Sequence, residues 1–168
     1  MSSVLSRRSI RSYKDEEISD EIVDALLHAA MAAPSACAKD PWRFVVIRDK
    51  SMLAQVCEKL PNGKMLARAG LGIVVCGDQN VAHDNQLSYM LQDCSAAIEN
   101  ILVAAPLLDL GAVWLGVHPR EERVEHLREI LSIPQNITPI SVIALGYPDE
   151  TKPPRSRYNS KCVHYEKW

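Results

Sequence analysis

The 168 residues, 47% hydrophobic and 24% charged, suit a single globular domain that is large enough to bury a core. The net charge of −2 combines basic ends with an acidic body, because residues 1–14 and 151–168 hold nine of the 19 cations but one of the 21 acids. Cations confined to the ends argue against nucleic-acid binding, and neither a membrane-spanning apolar run nor a secretory signal is expected.

Hydrophobic periodicity and turn residues predict helices and strands mixed along the chain. A short helix over 3–8 precedes a second one, which begins at Ser19 before two acids and ends at Pro34. Further helices are predicted over 51–59, 84–109 and 120–131, with a helical turn over 64–69. Strands are predicted over 44–47, 71–76, 112–117 and 140–145. The order favours an α+β fold with a sheet of four or five strands.

The longest predicted helix, over 84–109, repeats apolar residues at spacings of three and four. It is apolar on more than one side, so we expect it inside the molecule or in a subunit interface. Pro106 should shorten its last turn, and Gly111 is the predicted stop. The segment 149–168 is rich in Pro and Arg without hydrophobic period, so we expect a tail of this single domain that extends over a partner subunit.

The two basic ends are the first candidate binding site. If the fold brings them together, Arg7, Arg8 and Arg11 could join Arg155 and Arg157 around a small dianion such as a phosphate monoester. Guanidinium groups suit that anion because they donate bidentate, charge-assisted hydrogen bonds. A solvated basic terminus is the alternative.

A second candidate is the loop between Pro34 and Pro41, whose small residues would let a planar ligand lie against the backbone, although a structural connection has the same pattern. Cys37 lies in this loop, but no histidine is placed in the sequence to activate it, and no metal site is predicted. The odd, widely spaced set of five cysteines favours a reducing cytoplasm. Lacking an acid, base or nucleophile motif, the protein either binds without chemistry or relies on a cofactor.

Several strings, taken in order, resemble the nitroreductase family of FMN-dependent oxidoreductases. They span residues 7–13, 32–36, 41–46, 92–97 with Asn100, 110–116, 144–148 and 152–157. The resemblance implies an α+β sandwich with a mixed sheet of four to five strands, working as a homodimer. The long helix would pack across the interface, with FMN bound between the subunits.

The resemblance also implies a set of cofactor contacts and no catalytic side chain, because the flavin carries the chemistry. Phosphate and ribityl contacts would come from Arg7, Arg8, Ser9, Arg11, Arg155 and Arg157; ring contacts from Pro34, Ser35 and Ala36 of the other subunit; contacts near N5 from Leu115 and Gly116; and contacts near N1 and O2 from Lys64 and Asn62. A cation near N1 and O2 favours the reduced state, where negative charge collects there, and so raises the reduction potential.

By this resemblance NADH or NADPH reduces the flavin, and a nitroaromatic, quinone or similar electron-poor acceptor reoxidises it at the same site, with ping-pong kinetics. Two residues depart from the family's loop, since Ala38 and Asp40 stand where an asparagine and a glutamine are usual. They keep open a flavin-binding protein without reductase activity, or a flavin- or halide-directed member of the scaffold. A phosphorylated-metabolite binder without flavin is the third interpretation.

Overall fold

Residues 2–168 are the part of the chain that the structure, a computed structural model, describes; within them lie five α-helices and four strands. The helices are α1 Ser2–Ser6, α2 Asp20–Met31, α3 Lys50–Cys57, α4 Leu87–Ala104 and α5 Glu121–Ile130. The strands are β1 Trp42–Ile47, β2 Leu71–Asp78, β3 Gly111–Gly116 and β4 Ile137–Gly146. The predicted α+β class is therefore confirmed, with four strands.

The four strands form one sheet in the order β1-β2-β4-β3, and every neighbouring pair is antiparallel. The prediction of a mixed sheet is wrong for these strands. The crossover through α4 does join two strands of the same direction, β2 and β3, but β4 inserts between them and runs the opposite way. In the described chain, parallel pairing is limited to an isolated bridge between Ser9 and Ala112.

Each face of the sheet carries its own apolar core. Successive residues of β2 point to opposite faces, so Ile73 packs in the core with α2 and α4, while Val74 packs in the core with α3 and α5. All eight residues of β2 are buried, as its continuous apolar run predicted. The sandwich therefore consists of one sheet between two helical layers.

Helix α4 ends earlier than its apolar pattern. It stops at Ala104, and Pro106 lies in the 3-10 turn that follows, consistent with the prediction that this proline shortens the last turn. The predicted stop at Gly111 is wrong, because Asp109 ends the segment in the left-handed conformation with φ of 58° and Gly111 already begins β3. An aspartate tolerates this conformation better than most residues with a side chain.

By length and composition alone, the segment Leu87–Leu108 could cross a membrane, which is weak evidence because core helices pass the same test. Here the segment is a core helix on one side, where Met90, Cys94, Ile98 and Ile101 are completely buried. The absence of a membrane association remains a prediction.

The C-terminal tail crosses α1 and then runs along the surface. The backbone N–H of Arg155 donates to the carbonyl of Leu5 at 3.2 Å. Beyond that point its large aromatic residues are exposed, with Tyr158 76%, Tyr165 82% and Trp168 100% accessible in the single chain. Exposed aromatic side chains in this number are typical of an interaction surface. The placement of residues 149–168 over a partner subunit stays a proposal.

Candidate functional site

The N-terminal basic segment is extended and fixed along the free edge of β3. The N–H of Ile10 donates to the carbonyl of Ala112 at 3.0 Å. Nearby, the single proton of the buried Tyr13 hydroxyl is shared between the carbonyls of Ile10 at 2.7 Å and Ala144 at 3.1 Å. Burial raises the pKa of Tyr13 far above its ordinary value, so the hydroxyl stays a proton donor. These contacts fix the backbone from which the arginines project.

The C-terminal tail is tied directly to this segment. The ammonium group of Lys152 donates to the carbonyl of Ser9 at 2.7 Å and to Glu150 at 2.9 Å. The same carboxylate accepts the backbone N–H of Arg11, and the guanidinium of Arg8 donates to the carbonyl of Pro153. Hydrogen bonding to the Arg11 N–H, and then to Lys152, lowers the pKa of Glu150. The two ends of the chain are therefore one structural unit.

Cations from both ends converge on one cavity of about 640 Å³, the phosphate pocket. Six of the predicted residues line it, namely Arg7, Arg8, Ser9, Arg11, Arg155 and Arg157. Lys152 adds a cation, and Glu99 of α4 adds an acid whose Oε1 lies 3.4 Å from Nε of Arg7. With one carboxylate against six cations in its lining, the pocket has the charge and the donors for a phosphate dianion.

A second cavity, of about 520 Å³, adjoins the first through the shared residue Arg11, and we call it the cleft. It gathers four further predicted residues, Asn62, Lys64, Leu115 and Gly116. Trp114 and Arg123 line it as well. A ligand with an anionic end and a long planar end could therefore span both cavities.

The edge of β3 presents polar backbone groups to the cleft. The carbonyl of Ala112 bonds outward to Ile10, while the N–H of Val117 bonds inward to Ile140. The backbone N–H and C=O groups of even-numbered residues in this strand therefore point to its free edge. The carbonyl of Gly116 follows this alternation and accepts a hydrogen bond from Nη1 of Arg123 at 2.8 Å. The N–H of Gly116 consequently points to the same edge, where it can serve a ligand.

Gly116 also differs from the other glycines in what surrounds it. A Cβ built there would have no protein atom within 4 Å apart from those of its chain neighbours, whereas a Cβ at each of the other six would meet a more distant residue within 3.1 Å. Those glycines are small to make room for protein atoms. The space over the Cα of Gly116 is not filled by the protein, as expected where a planar ligand lies against the backbone.

The remaining predicted residues lie apart from these two cavities. Pro34, Ser35 and Ala36 line a shallow third pocket of about 320 Å³ with Tyr89, Gln92, Asp93 and Ala96. The carboxylate of Asp93 is buried; Oδ1 accepts the N–H of Ala36 at 2.9 Å, and Oδ2 has no partner among the described residues. One chain therefore does not bring all the predicted contacts together.

Comparison with known proteins identifies the scaffold. The Nitroreductase family model matches residues 4–60 and 50–147. The chain belongs to the nitroreductase family. A protein of Archaeoglobus fulgidus named as an NADH dehydrogenase/NAD(P)H nitroreductase is 49% identical over 98% of this chain and 96% of its own.

Solved structures of nitroreductases agree in fold. A structure from Parabacteroides distasonis, also named as an NADH dehydrogenase/NAD(P)H nitroreductase, is 39% identical to this chain. It has a TM-score of 0.93 over 99% of this chain and 97% of its own. A nitroreductase from Desulfovibrio desulfuricans in complex with FMN is 30% identical, with a TM-score of 0.85 over 99% and 96%.

The site of this nitroreductase fits FMN by its own geometry. The phosphate pocket supplies guanidinium groups for the phosphate. The backbone at Gly116, with open space above it, supplies a surface for the ring. Residues near both ends of the chain, and from β3 between them, would hold the cofactor.

The loop that departs from the family pattern is internally bonded. The hydroxyl of Ser35 donates to the carboxylate of Asp40 and accepts the N–H of Asp40 at 3.0 Å. Cys37, Ala38 and Asp40 all adopt left-handed conformations, with φ of 51°, 52° and 49°. The acid at position 40 thus stabilises a tight loop, because it accepts the hydroxyl proton of Ser35 within the loop itself.

The sequence predicted no histidine placed to activate Cys37, but the structure brings His83 close to it. Its sulfur lies 3.8 Å from Nε2 of His83, which is 46 residues away. The same nitrogen is 3.4 Å from Oδ2 of Asp84. No group of three or more potential metal ligands occurs within residues 2–168.

Several residues of the three cavities were not among the predicted contacts. These are Lys152 and Glu99 in the phosphate pocket, Trp114 and Arg123 in the cleft, and Tyr89, Gln92 and Asp93 in the third pocket. Lys152, Trp114, Gln92 and Asp93 belong to strings that resemble the family, so the sequence carried a signal for them. Arg123 lies in an amphipathic helix and carried none.

Proposed function

We propose that this oxidoreductase binds FMN and uses NADH or NADPH to reduce nitroaromatics, quinones or similar electron-poor acceptors. The observation that carries the proposal is the junction at Arg11 of a cationic pocket with a cleft that is open at Gly116. The FMN complex of the Desulfovibrio relative and the NAD(P)H nitroreductase name of the Archaeoglobus relative support it.

Each part of the site has a separate task in this proposal. Arg7, Arg8, Arg155 and Arg157 bind the phosphate through charge-assisted hydrogen bonds. When bound, FMN supplies the hydride-transfer chemistry. The N–H of Gly116, which points to the free edge of β3, would donate to N5 of the bound ring. No acid or base of this chain is required at the reacting atoms.

Lys64 has an electrostatic task. It begins the 3-10 turn Lys64–Arg68 and lines the cleft beside Asn62. Its ammonium group stabilises negative charge at N1 and O2 more than it stabilises the neutral ring. A preorganised cation of this kind raises the reduction potential of the site.

A homodimer completes the site. The phosphate pocket reaches Glu99 of α4, and the third pocket reaches Gln92 and Ala96. Residues at these spacings share one face of a helix, and this face is not buried within the chain. Two copies packed along it would bring Pro34–Ala36 of one subunit to the ring held by the other, and would give the aromatic tail a surface to cover.

The decisive experiment is the colour of the purified protein and its response to reductant. A yellow protein with an oxidised-flavin spectrum excludes a phosphorylated-metabolite binder without flavin. Anaerobic bleaching by NADH or NADPH, followed by recovery with a nitroaromatic or quinone, is expected for the reductase. A yellow protein that neither dinucleotide bleaches would be a flavin-binding protein without this activity.

The order of the two reactions follows from the single cleft. Dinucleotide and acceptor must occupy it in turn, so double-reciprocal plots at several acceptor concentrations should be parallel. Intersecting lines would contradict a shared cleft. A cytoplasmic location is also proposed, supported by the structure's leaving all five cysteines as free thiols.

A further inference from the structure

Arg123 stands in the first turn of α5 and projects into the cleft. One guanidinium nitrogen, Nη1, is fixed on the carbonyl of Gly116 at 2.8 Å. Its Nε is shielded from solvent and has no hydrogen-bond partner in the described part of the chain. The guanidinium is therefore held beside the Gly116 backbone, where the ring is proposed to lie, and Nη2 makes no hydrogen bond to the described residues.

The lining of the cleft carries an excess of positive charge. Among the described residues that line it are three cations, Arg11, Lys64 and Arg123, and no carboxylate. Arg11 and Lys64 serve the cofactor in the function proposed above. Arg123 is the remaining cation, and a cavity with unbalanced positive charge favours an anionic occupant.

Apolar residues share the cleft with Arg123, namely Leu60, Met65, Trp114 and Leu115. Trp114 is 38% exposed and lines the same cleft. A flat acceptor against these residues would be held by an apolar surface, with its polar substituent near the guanidinium. Because Arg123 is already anchored on Gly116, it loses little conformational freedom when it binds a carboxylate or sulfonate.

We propose that Arg123 is a specificity residue that binds the anionic group of the acceptor, so that the enzyme prefers electron-poor aromatic acids to neutral acceptors of the same shape. This inference rests on the proposed function, because it concerns the molecule that occupies the cleft after the dinucleotide leaves. It adds a substrate class to that function.

The test compares 4-nitrobenzoate with 4-nitrobenzyl alcohol, which differ little in shape but differ in charge. Reduced enzyme, prepared with one equivalent of dithionite, is mixed with each acceptor, and flavin reoxidation is followed without oxygen. The wild type should favour the acid. In Arg123→Gln the preference should fall about tenfold, as expected for one hydrogen bond to a charged group.

Two further variants separate charge from structure. Arg123→Lys keeps the charge and should keep most of the preference. Arg120→Gln makes the same charge change at an exposed position outside the cleft and should leave it unchanged. Added salt should reduce the preference in the wild type and have little effect in Arg123→Gln.

The result that would overturn the inference is an unchanged preference in Arg123→Gln. An equal loss of rate with both acceptors would also overturn it, because Arg123 would then only position the Gly116 backbone. Failure of the proposed function is a separate result, since it would show as no bleaching by NADH or NADPH. In that case equilibrium binding of the two compounds to each variant still decides whether Arg123 selects the acid.

Discussion

Replacing Gly116 by Ala should weaken FMN binding without weakening the fold. The new Cβ would have no protein atom within 4 Å apart from those of its chain neighbours. No glycine in the described chain has a positive φ, so alanine fits the backbone. Glycine within a strand costs roughly 0.5–1 kcal/mol relative to alanine, so the apo-protein should melt about 1–4 °C higher. Against a bound ring the methyl group is an overpacking change of about 1–3 kcal/mol, or about 5- to 150-fold in Kd.

The assay separates these two effects. Urea unfolding of the flavin-free protein measures the fold, and quenching of FMN fluorescence measures binding. Gly77→Ala is the matched control, because its Cβ would lie 2.6 Å from the side chain of Met90, which is fully buried. That variant should lose stability without the cofactor but bind FMN normally once folded. Unchanged FMN affinity in Gly116→Ala would refute the placement of the ring beside this glycine.

Three other predictions test the remaining parts of the site. Changing Arg155 and Arg157 together to Gln should weaken FMN binding by about a hundredfold or more and lower the melting temperature of the holoprotein, whereas the double Lys variant should be intermediate; full flavin occupancy after the Gln change would contradict the phosphate assignment. Lys64→Met should lower the flavin reduction potential, and an equal potential in redox titration would exclude its role near N1 and O2. The folded-state pKa of Glu150 lies below the ordinary 4.5, mainly because its carboxylate accepts the N–H of Arg11. The contribution of Glu150 to stability is therefore present above pH 4.5 and is lost as the pH falls through the folded-state pKa. Glu150→Gln should flatten that part of the acid unfolding curve.

The fold could be predicted where a local pattern reports burial. The unbroken apolar run of β2 predicted a strand covered on both faces, and both faces are covered. Pro106 predicted a shortened α4 because proline lacks the N–H that the last turn needs. The pairing of strands could not be predicted in the same way, because no local pattern shows that β4 inserts between β2 and β3.

The candidate site likewise contains features that a local sequence pattern predicted and features that no local pattern could predict. The clustering of arginines at the two ends was visible in the sequence, which predicted an anion site there with a solvated basic terminus as the alternative. Two other contacts had no such signal. Cys37 meets His83 across 46 residues, and Arg123 reaches Gly116 from a helix whose pattern reports only its buried side.

Composition and periodicity, which are properties of neighbouring residues, determined the helices, the strands and the excess of positive charge at the termini. Tertiary structure alone decided that both termini share one cavity, that this cavity continues into a cleft at Gly116, and that Pro34–Ala36 lie elsewhere on the same chain. The physical reason is that burial follows from the local order of apolar side chains, whereas the convergence of distant polar groups depends on how the whole sheet and its helices pack.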